Sequence, residues 1–288
     1  MLRLIPPGGG LTSVQLKVIA QIASELELES VTLTPGRALD LRGISAGQTA
    51  GVLSRLAEAG LSVQEVPAGC PGLEAATKPD PDLVGVREQE QPGLFTIGVP
   101  VLAGRLSISQ TRKAADLAER YAGGRLQLTS RQNLLLLDVP KERVVQLLEG
   151  LESVDLRVAA SVYRRGLTAC ADGVEERARE LLDYLESRVP LKEPLRIHFS
   201  AGECGCERAL ESEVGLHVGE VYRLSVDGSP VLGLPAIPAG LIKYRLEKLL
   251  VRYKKDRGPG EPFREFCRRI GGEELSRLLS DEAAHPAA

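Results

Sequence analysis

The sequence predicts an α+β protein in which one βαββαβ module occurs twice and a third α+β module follows. Two observations predict it: an internal repeat and a helix–strand rhythm that recurs with it. Residues 11–61 align with 106–156 without a gap. Leu11/Leu106, Gln15/Gln110, Ala20/Ala115, Ala23/Ala118, Thr34/Thr129, Leu39/Leu134, Leu53/Leu148 and Leu61/Leu156 are identical. Two copies are too few for a solenoid, so the repeat is a duplicated module.

Each copy reads as an initial strand, a helix with apolar residues every three or four positions (13–26; 108–121), and two short strands around a turn. A second helix (46–59; 141–150) and a closing strand complete it. That order is ferredoxin-like. The turns differ, "TPGR" having Pro35 and Gly36 where "TSRQ" has Ser130 and Arg131. The second copy is therefore the better candidate for holding a ligand.

The expected organisation is a first half at 1–66, a linker or wrapping loop at 67–93, a second half at 94–157 and the third module at 158–288. The linker is rich in Pro, Gly and charge and shows no period. The third module reads as a helix at about 173–188, the strand "LRIHF", strands near 214–225 and 230–234, and C-terminal helices from about 239.

Composition narrows the function classes. With 43% hydrophobic and 26% charged residues in 288, the chain is neither disordered nor fibrous. A formal net charge of -3 excludes a global pull toward nucleic acid, so an anion site must be a local cluster of Arg and Lys. There is no apolar leader pattern and no run of 18 uncharged apolar residues, so a cytoplasmic protein without a membrane partner is expected. The absence of Trp, with one Met and one Asn, fits a thermophilic source. Five cysteines (Cys70, Cys170, Cys204, Cys206 and Cys267) are an odd number, pointing to metal ligation or plain burial rather than disulfides. No P-loop, GxGxxG or Ser/His/Asp arrangement is present.

Five segments then fall in one order: "LTPGRALDLRGI", "GVREQEQPGLFTIGVPVLAGRLS", "LQLTSRQNLLLLDVP", "IHFSAGECGCERALESEVGL" and "GEPFREFCRRIG". Together they resemble the sirohaem-dependent nitrite and sulfite reductases. The resemblance implies six-electron reduction of nitrite to ammonia or sulfite to sulfide, a sirohaem, a [4Fe-4S] cluster and an electron donor such as ferredoxin. Soft thiolates suit such a cluster, and cations suit both the carboxylates of the macrocycle and an anionic substrate.

Carried over by position, Cys170 and Cys206 match two of the family's four cluster cysteines, Cys206 being the one that bridges to haem iron. Glu176 and Gly202 stand at the other two positions, and Cys204 is a candidate substitute. The metal candidates are thus Cys170, Cys204 and Cys206. Zinc on Cys204, Cys206 and His198 is an alternative, although CxC lacks the usual spacing. The family's substrate arginines align with Thr32 and Gly36 in the first copy and with Gln127 and Arg131 in the second, making Arg131 the catalytic candidate. Arg42, Arg105, Arg131, Arg164 and Arg165 are candidates for the macrocycle carboxylates, and Gln132 and Asn133 either hydrogen-bond the macrocycle or cap a strand end.

The short 67–93 segment stands where the family normally carries a whole sirohaem-binding half. The chain therefore resembles an abbreviated member, and a two-fold dimer would rebuild the missing half-pocket. Two rival readings remain open: a non-catalytic tetrapyrrole-binding or partner protein that has lost the cluster, and an oxygenase of corrin biosynthesis resembling the precorrin-3B synthases.

Overall fold

In the computed structural model, which describes residues 1–66, 80–171, 173–201 and 212–280, the initial strand of each copy breaks in two and its pieces serve different sheets. In the first copy these are β1 (Leu2–Leu4) and β2 (Gly10–Thr12), followed by α1 (Ser13–Glu25), β3 (Ser30–Leu33), β4 (Leu39–Leu41), α2 (Ala46–Glu58) and β5 (Val63–Glu65). β6 (Gly85–Glu88) precedes the second copy. That copy comprises β7 (Leu94–Val99), β8 (Arg105–Ser107), α3 (Ile108–Tyr121), β9 (Arg125–Leu128), β10 (Leu134–Pro140) and α4 (Val144–Glu152).

The first sheet has the order β5-β1-β4-β3-β8 and the second the order β2-β9-β10-β7-β6. Each half thus lends one three-residue strand to the sheet of the other. Glycine makes the exchange sterically feasible. A Cβ at Gly9 would lie 2.9 Å from the Leu128 carbonyl oxygen, and one at Gly104 would lie 2.8 Å from that of Leu33. Both glycines also have positive φ, which glycine adopts without a Cβ penalty.

The identity of Gln15 and Gln110 now has a physical reason. Gln15 closes a capping box with Thr12, and its Nε2 donates to the Ala59 carbonyl beyond α2 at 3.1 Å. Gln110 does the same with Ser107 and the Val154 carbonyl at 3.0 Å. One side chain satisfies an orphan amide at the helix start and ties the two helices of its half together.

The closing strand expected in the second copy does not form. Its place beside β7 is taken by β6, which comes from the segment before the copy and pairs antiparallel through a hairpin across residues 89–93. The short local connection fills the edge that a returning strand would need. The helices pack on the apolar faces of the sheets, and Leu4, Leu33, Leu41, Leu106, Leu128 and Leu136 lie in one continuous core with Ile19, Ala115 and Ala118.

The chain divides into compact units at Met1–Arg165 and Gly166–Ala288. In the second unit, β11 (Leu167–Ala169), β12 (Ile197–Ala201) and β13 (Val214–Val218) run parallel; β14 (Val221–Val226) and β15 (Ser229–Pro230) continue the sheet antiparallel. β16 (Ile237–Pro238) also pairs β14; of the strand expected at 230–234 only Pro230, at the end of β15, is in a strand. The helices are α6 (Glu175–Arg188), α7 (Ile242–Asp256) and α8 (Phe263–Ser280), the last broken at Gly271. No helix among the described residues is long and apolar enough to cross a membrane.

Candidate functional site

The first sheet carries its apolar residues on one face and a polar row on the other. Alternation places Leu2, Leu4, Val31, Leu33, Leu39, Leu41 and Leu106 in the core. Register places Gln64 opposite Arg3, Arg3 opposite Asp40, Asp40 opposite Thr32, and Thr32 opposite Arg105. The aligned row of the second sheet reads Gly98, Leu135, Gln127 and Gly10, so this row carries charge in the first sheet and none in the second.

Asp40 is the anchor of this row, with its side chain fully buried. Arg3 Nε and Nη2 donate to its two oxygens at 2.7 and 2.8 Å, the bidentate geometry that makes a buried carboxylate tolerable. Arg42 Nη2 lies 3.7 Å from Asp40 Oδ2, and Arg105 Nη1 donates to Ser30 Oγ at 3.3 Å. Two guanidinium groups, Arg3 and Arg42, lie beside the Asp40 carboxylate, and Arg105 joins the same row through β8. Arg42 and Arg105 are thus brought to one sheet, the second contributed by the other half.

The remaining candidates of this unit lie at the turns and beyond. The Thr34 and Thr129 turns share one backbone: Arg37 and Gln132 donate their N–H to the Thr34 and Thr129 carbonyls at 3.0 Å, and both have positive φ. Gly36 is not the left-handed residue. Arg131 Nε donates to the Asp80 carbonyl at 2.9 Å. Gln132 Nε2 donates to the Leu33 carbonyl at 2.7 Å, and Asn133 Oδ1 accepts the Val101 N–H at 3.1 Å; both side chains are buried and brace the turns. Arg165, in α5 (Val162–Gly166), pairs with Asp82 Oδ2 through Nη2 at 2.7 Å, while the Arg164 N–H donates to Ser161 Oγ at 3.3 Å.

Arg3 and Arg37 are two residues that sequence reasoning missed. Arg37 had a signal, because it aligns with Gln132 in the repeat. Arg3 lies before the aligned segments and becomes visible through register.

In the second unit the cysteine-bearing segments leave neighbouring strands at the same end. Ala169 pairs with Phe199 between the parallel strands β11 and β12, and the Cys170 N–H donates to the Phe199 carbonyl at 2.9 Å. The carboxyl ends of parallel strands are where such sheets hold ligands. Cys204 and Cys206 follow β12 but, with Cys70, Gly202 and the 203–211 stretch, lie outside the described residues. Cys267 is buried in α8, and desolvation, reinforced by the charges of Asp227, Glu213 and Glu261, pushes its thiol up to about 12. It is a poor ligand, because the thiolate is the form that binds metal.

Sequence reasoning also passed over two hydroxyl–imidazole pairs on this sheet. Thr168 Oγ1 lies 2.8 Å from His198 Nδ1, and Ser200 Oγ lies 2.7 Å from His217 Nδ1, each pair a direct product of register. His198 is fully buried in mid-strand.

These donor sets differ in what they fit. The guanidinium row of the first sheet is of the donor type that pairs with the carboxylates of a tetrapyrrole, and with Arg3 bound bidentately to Asp40 the candidates for that role are Arg42 and Arg105. For an iron–sulfur cluster or zinc, the described residues supply one thiol, Cys170, at the strand ends and no group of three ligating side chains. They do not by themselves meet either centre.

Fold and repeat together define a duplicated ferredoxin-like module, and the family model of the nitrite/sulfite reductase ferredoxin-like half domain matches it at residues 1–59 and 87–154. The likeness to the nitrite/sulfite reductase family thus rests on the two ferredoxin-like halves of the first unit. It is 29% identical over 227 residues to sulfite reductase (ferredoxin) 2 of Mycolicibacterium paratuberculosis, covering 67% of this chain and 40% of that one. It is 33% identical over 145 residues to the chloroplastic ferredoxin–nitrite reductase of Zea mays, covering 46% of this chain and 26% of that one. The structure of the Mycobacterium tuberculosis NirA protein shares the fold, with a TM-score of 0.80 at 15% identity over 95% of this chain and 84% of that one. The chain therefore spans about 40% or less of the length of these two curated relatives.

Proposed function

We propose that the chain is a nitrite/sulfite reductase-like oxidoreductase module that holds a sirohaem by its carboxylates and takes nitrite or sulfite as substrate. The observation that carries this reading is the Arg3–Asp40 pair with Arg42 and Arg105 in one row, an arginine row that the aligned sheet lacks. In this reading Arg42 and Arg105 neutralise macrocycle carboxylates. Asp40 and Arg3 hold the surface on which they stand. Arg131 presents its guanidinium to the anionic substrate, and Arg164, Arg165, Gln132 and Asn133 keep the surrounding segments in place. Sirohaem, when bound, supplies the iron at which the anion is reduced. Ferredoxin is the proposed electron donor, because the relatives from M. paratuberculosis and Z. mays are named for it.

Cys206, Cys170 and Cys204 remain the proposed thiolates of a cluster. A second reading, tetrapyrrole binding without reduction, is favoured by Glu176 and Gly202 standing at two of the four cluster-cysteine positions. Anaerobic purification followed by iron, sulfide and tetrapyrrole analysis separates the two. Iron, acid-labile sulfide and sirohaem in one preparation support the reductase. Sirohaem without sulfide, with binding unchanged in Cys206→Ser, supports the second reading, and a colourless chain that stays iron-free after anaerobic reconstitution contradicts both.

A further inference from the structure

The two repeat turns share a backbone but differ at three successive positions: Pro35, Gly36 and Arg37 in one, and Ser130, Arg131 and Gln132 in the other. Around Asp80 this divergence assembles a set of donors. Arg37 Nε and Nη2 reach the two carboxylate oxygens at 3.1 and 2.5 Å, and the Ser130 N–H donates to Oδ2 at 2.6 Å. The main chain of Asp80 is held as well: its N–H donates to Ser130 Oγ at 2.8 Å, and its carbonyl accepts from Arg131 Nε at 2.9 Å. A guanidinium fork plus a main-chain amide is a donor pattern that recognises a carboxylate.

The pseudo-symmetric location has none of this. Pro35 has no N–H, Gly36 has no side chain, and Gln132 donates to the Leu33 carbonyl. The duplication has therefore produced one anion site rather than two, with donors drawn from both halves.

We propose that this is an exchangeable oxyanion site for a carboxylate-bearing ligand and that the Asp80 carboxylate is its resting occupant. Three features argue for exchange rather than a permanent structural pair. The Arg37 fork and the Ser130 N–H converge on the carboxylate oxygens, donors that any carboxylate can use. The side chains of Arg37 and Asp80 are 31% and 17% exposed, giving an incoming ligand access from solvent. The chain beyond Asp80 is fastened separately: Asp82 accepts from Arg165 and from the Val84 N–H, and Arg87 donates to the Asp82 carbonyl. The Asp80 side chain can swing away without unpairing β6. The site requires no redox cofactor, so it can fail its test while the reductase reading stands, and the reverse.

The test is isothermal titration of the full chain with citrate, a tricarboxylate probe, at fixed ionic strength. Removal of an internal competitor raises apparent affinity by the fraction of time it occupied the site, so Asp80→Ala is expected to bind citrate about tenfold tighter than the unmodified chain. Adding Arg37→Gln to that variant is expected to abolish the gain. Equal affinity of the unmodified chain and Asp80→Ala, or a gain that survives Arg37→Gln, overturns the proposal. If Asp80→Ala does not fold, Asp80→Asn keeps the side-chain volume while removing the charge. A gain there supports exchange, and no gain overturns it.

Discussion

Arg3 holds the fully buried carboxylate of Asp40 through two hydrogen bonds of 2.7 and 2.8 Å across neighbouring antiparallel strands. The aligned pair in the second copy is Gly98 and Leu135, so the duplication offers a natural apolar comparison for a buried ion pair. Removing one partner strands a buried charge, whereas replacing the pair does not.

Arg3→Ala is accordingly expected to lower unfolding stability by about 3–5 kcal/mol in urea denaturation. Adding Asp40→Leu, the residue used by the second copy, is expected to restore most of the loss. A double variant less stable than the single one would show that Asp40 has partners that matter more than Arg3.

Gly98 tests the close approach of the 80–84 segment to β7. A Cβ there would lie 1.8 Å from the Leu83 carbonyl oxygen, which is backbone and has little room to yield. Gly98→Ala is expected to cost about 1–3 kcal/mol by overpacking. Gly51→Ala, exposed on α2 with nothing within 4 Å, should instead stabilise by roughly 0.5–1 kcal/mol through helix propensity. Thermal unfolding of the two variants side by side checks the opposite signs.

Acid should loosen the C-terminal helices. Hydrogen bonds from Arg269, then from the Gly258 N–H, draw the Glu261 carboxyl from 4.5 down to about 2. Because the folded value lies below the unfolded one, this contribution is present above pH 4.5 and is lost as pH falls toward 2. Glu261→Gln should flatten that part of the stability curve. An unchanged acid limb in the variant would assign the loss to other carboxylates.

Cys267 is expected to resist iodoacetamide at pH 8 in the folded chain and to react once the chain is unfolded, because burial holds it as the thiol. Cys267→Ala should leave iron content unchanged. Rapid labelling of the folded chain, read by peptide mass, would contradict the packing of α8.

Much of the helical framework was legible. The expected helix at 108–121 matches α3, and that at 13–26 ends one residue beyond α1, because a 3.6-residue period sustained over three turns is a strong local signal. The exchanged strands β2 and β8 were not legible. Three residues after a tight turn carry no period, and their partners lie more than 70 positions away. The strand β6 was hidden for a related reason: "GVRE" is polar on a sheet edge and has no alternation to display.

The site was legible in part. Arg42 and Arg105 were singled out from their segments; register places Arg105 in the first sheet, and Arg42 directly follows its strand β4. The preference for the second copy as ligand holder rested on the composition of its turn. The turn does carry the Ser130 and Arg131 donors, but it works together with Arg37 of the first copy, while the charged row belongs to the first copy. A turn sequence reports local backbone; it does not report which opposing turn it will meet.

Absorbance titration of sirohaem into the full chain, beside an Arg42→Gln/Arg105→Gln variant of unchanged melting temperature, tests the central claim most directly. The arginine row predicts uptake by the unmodified chain and affinity lower by about tenfold or more in the variant, given roughly 1.5–3 kcal/mol for a hydrogen bond to a charged group. Equal uptake by both, or none by the unmodified chain, would contradict it.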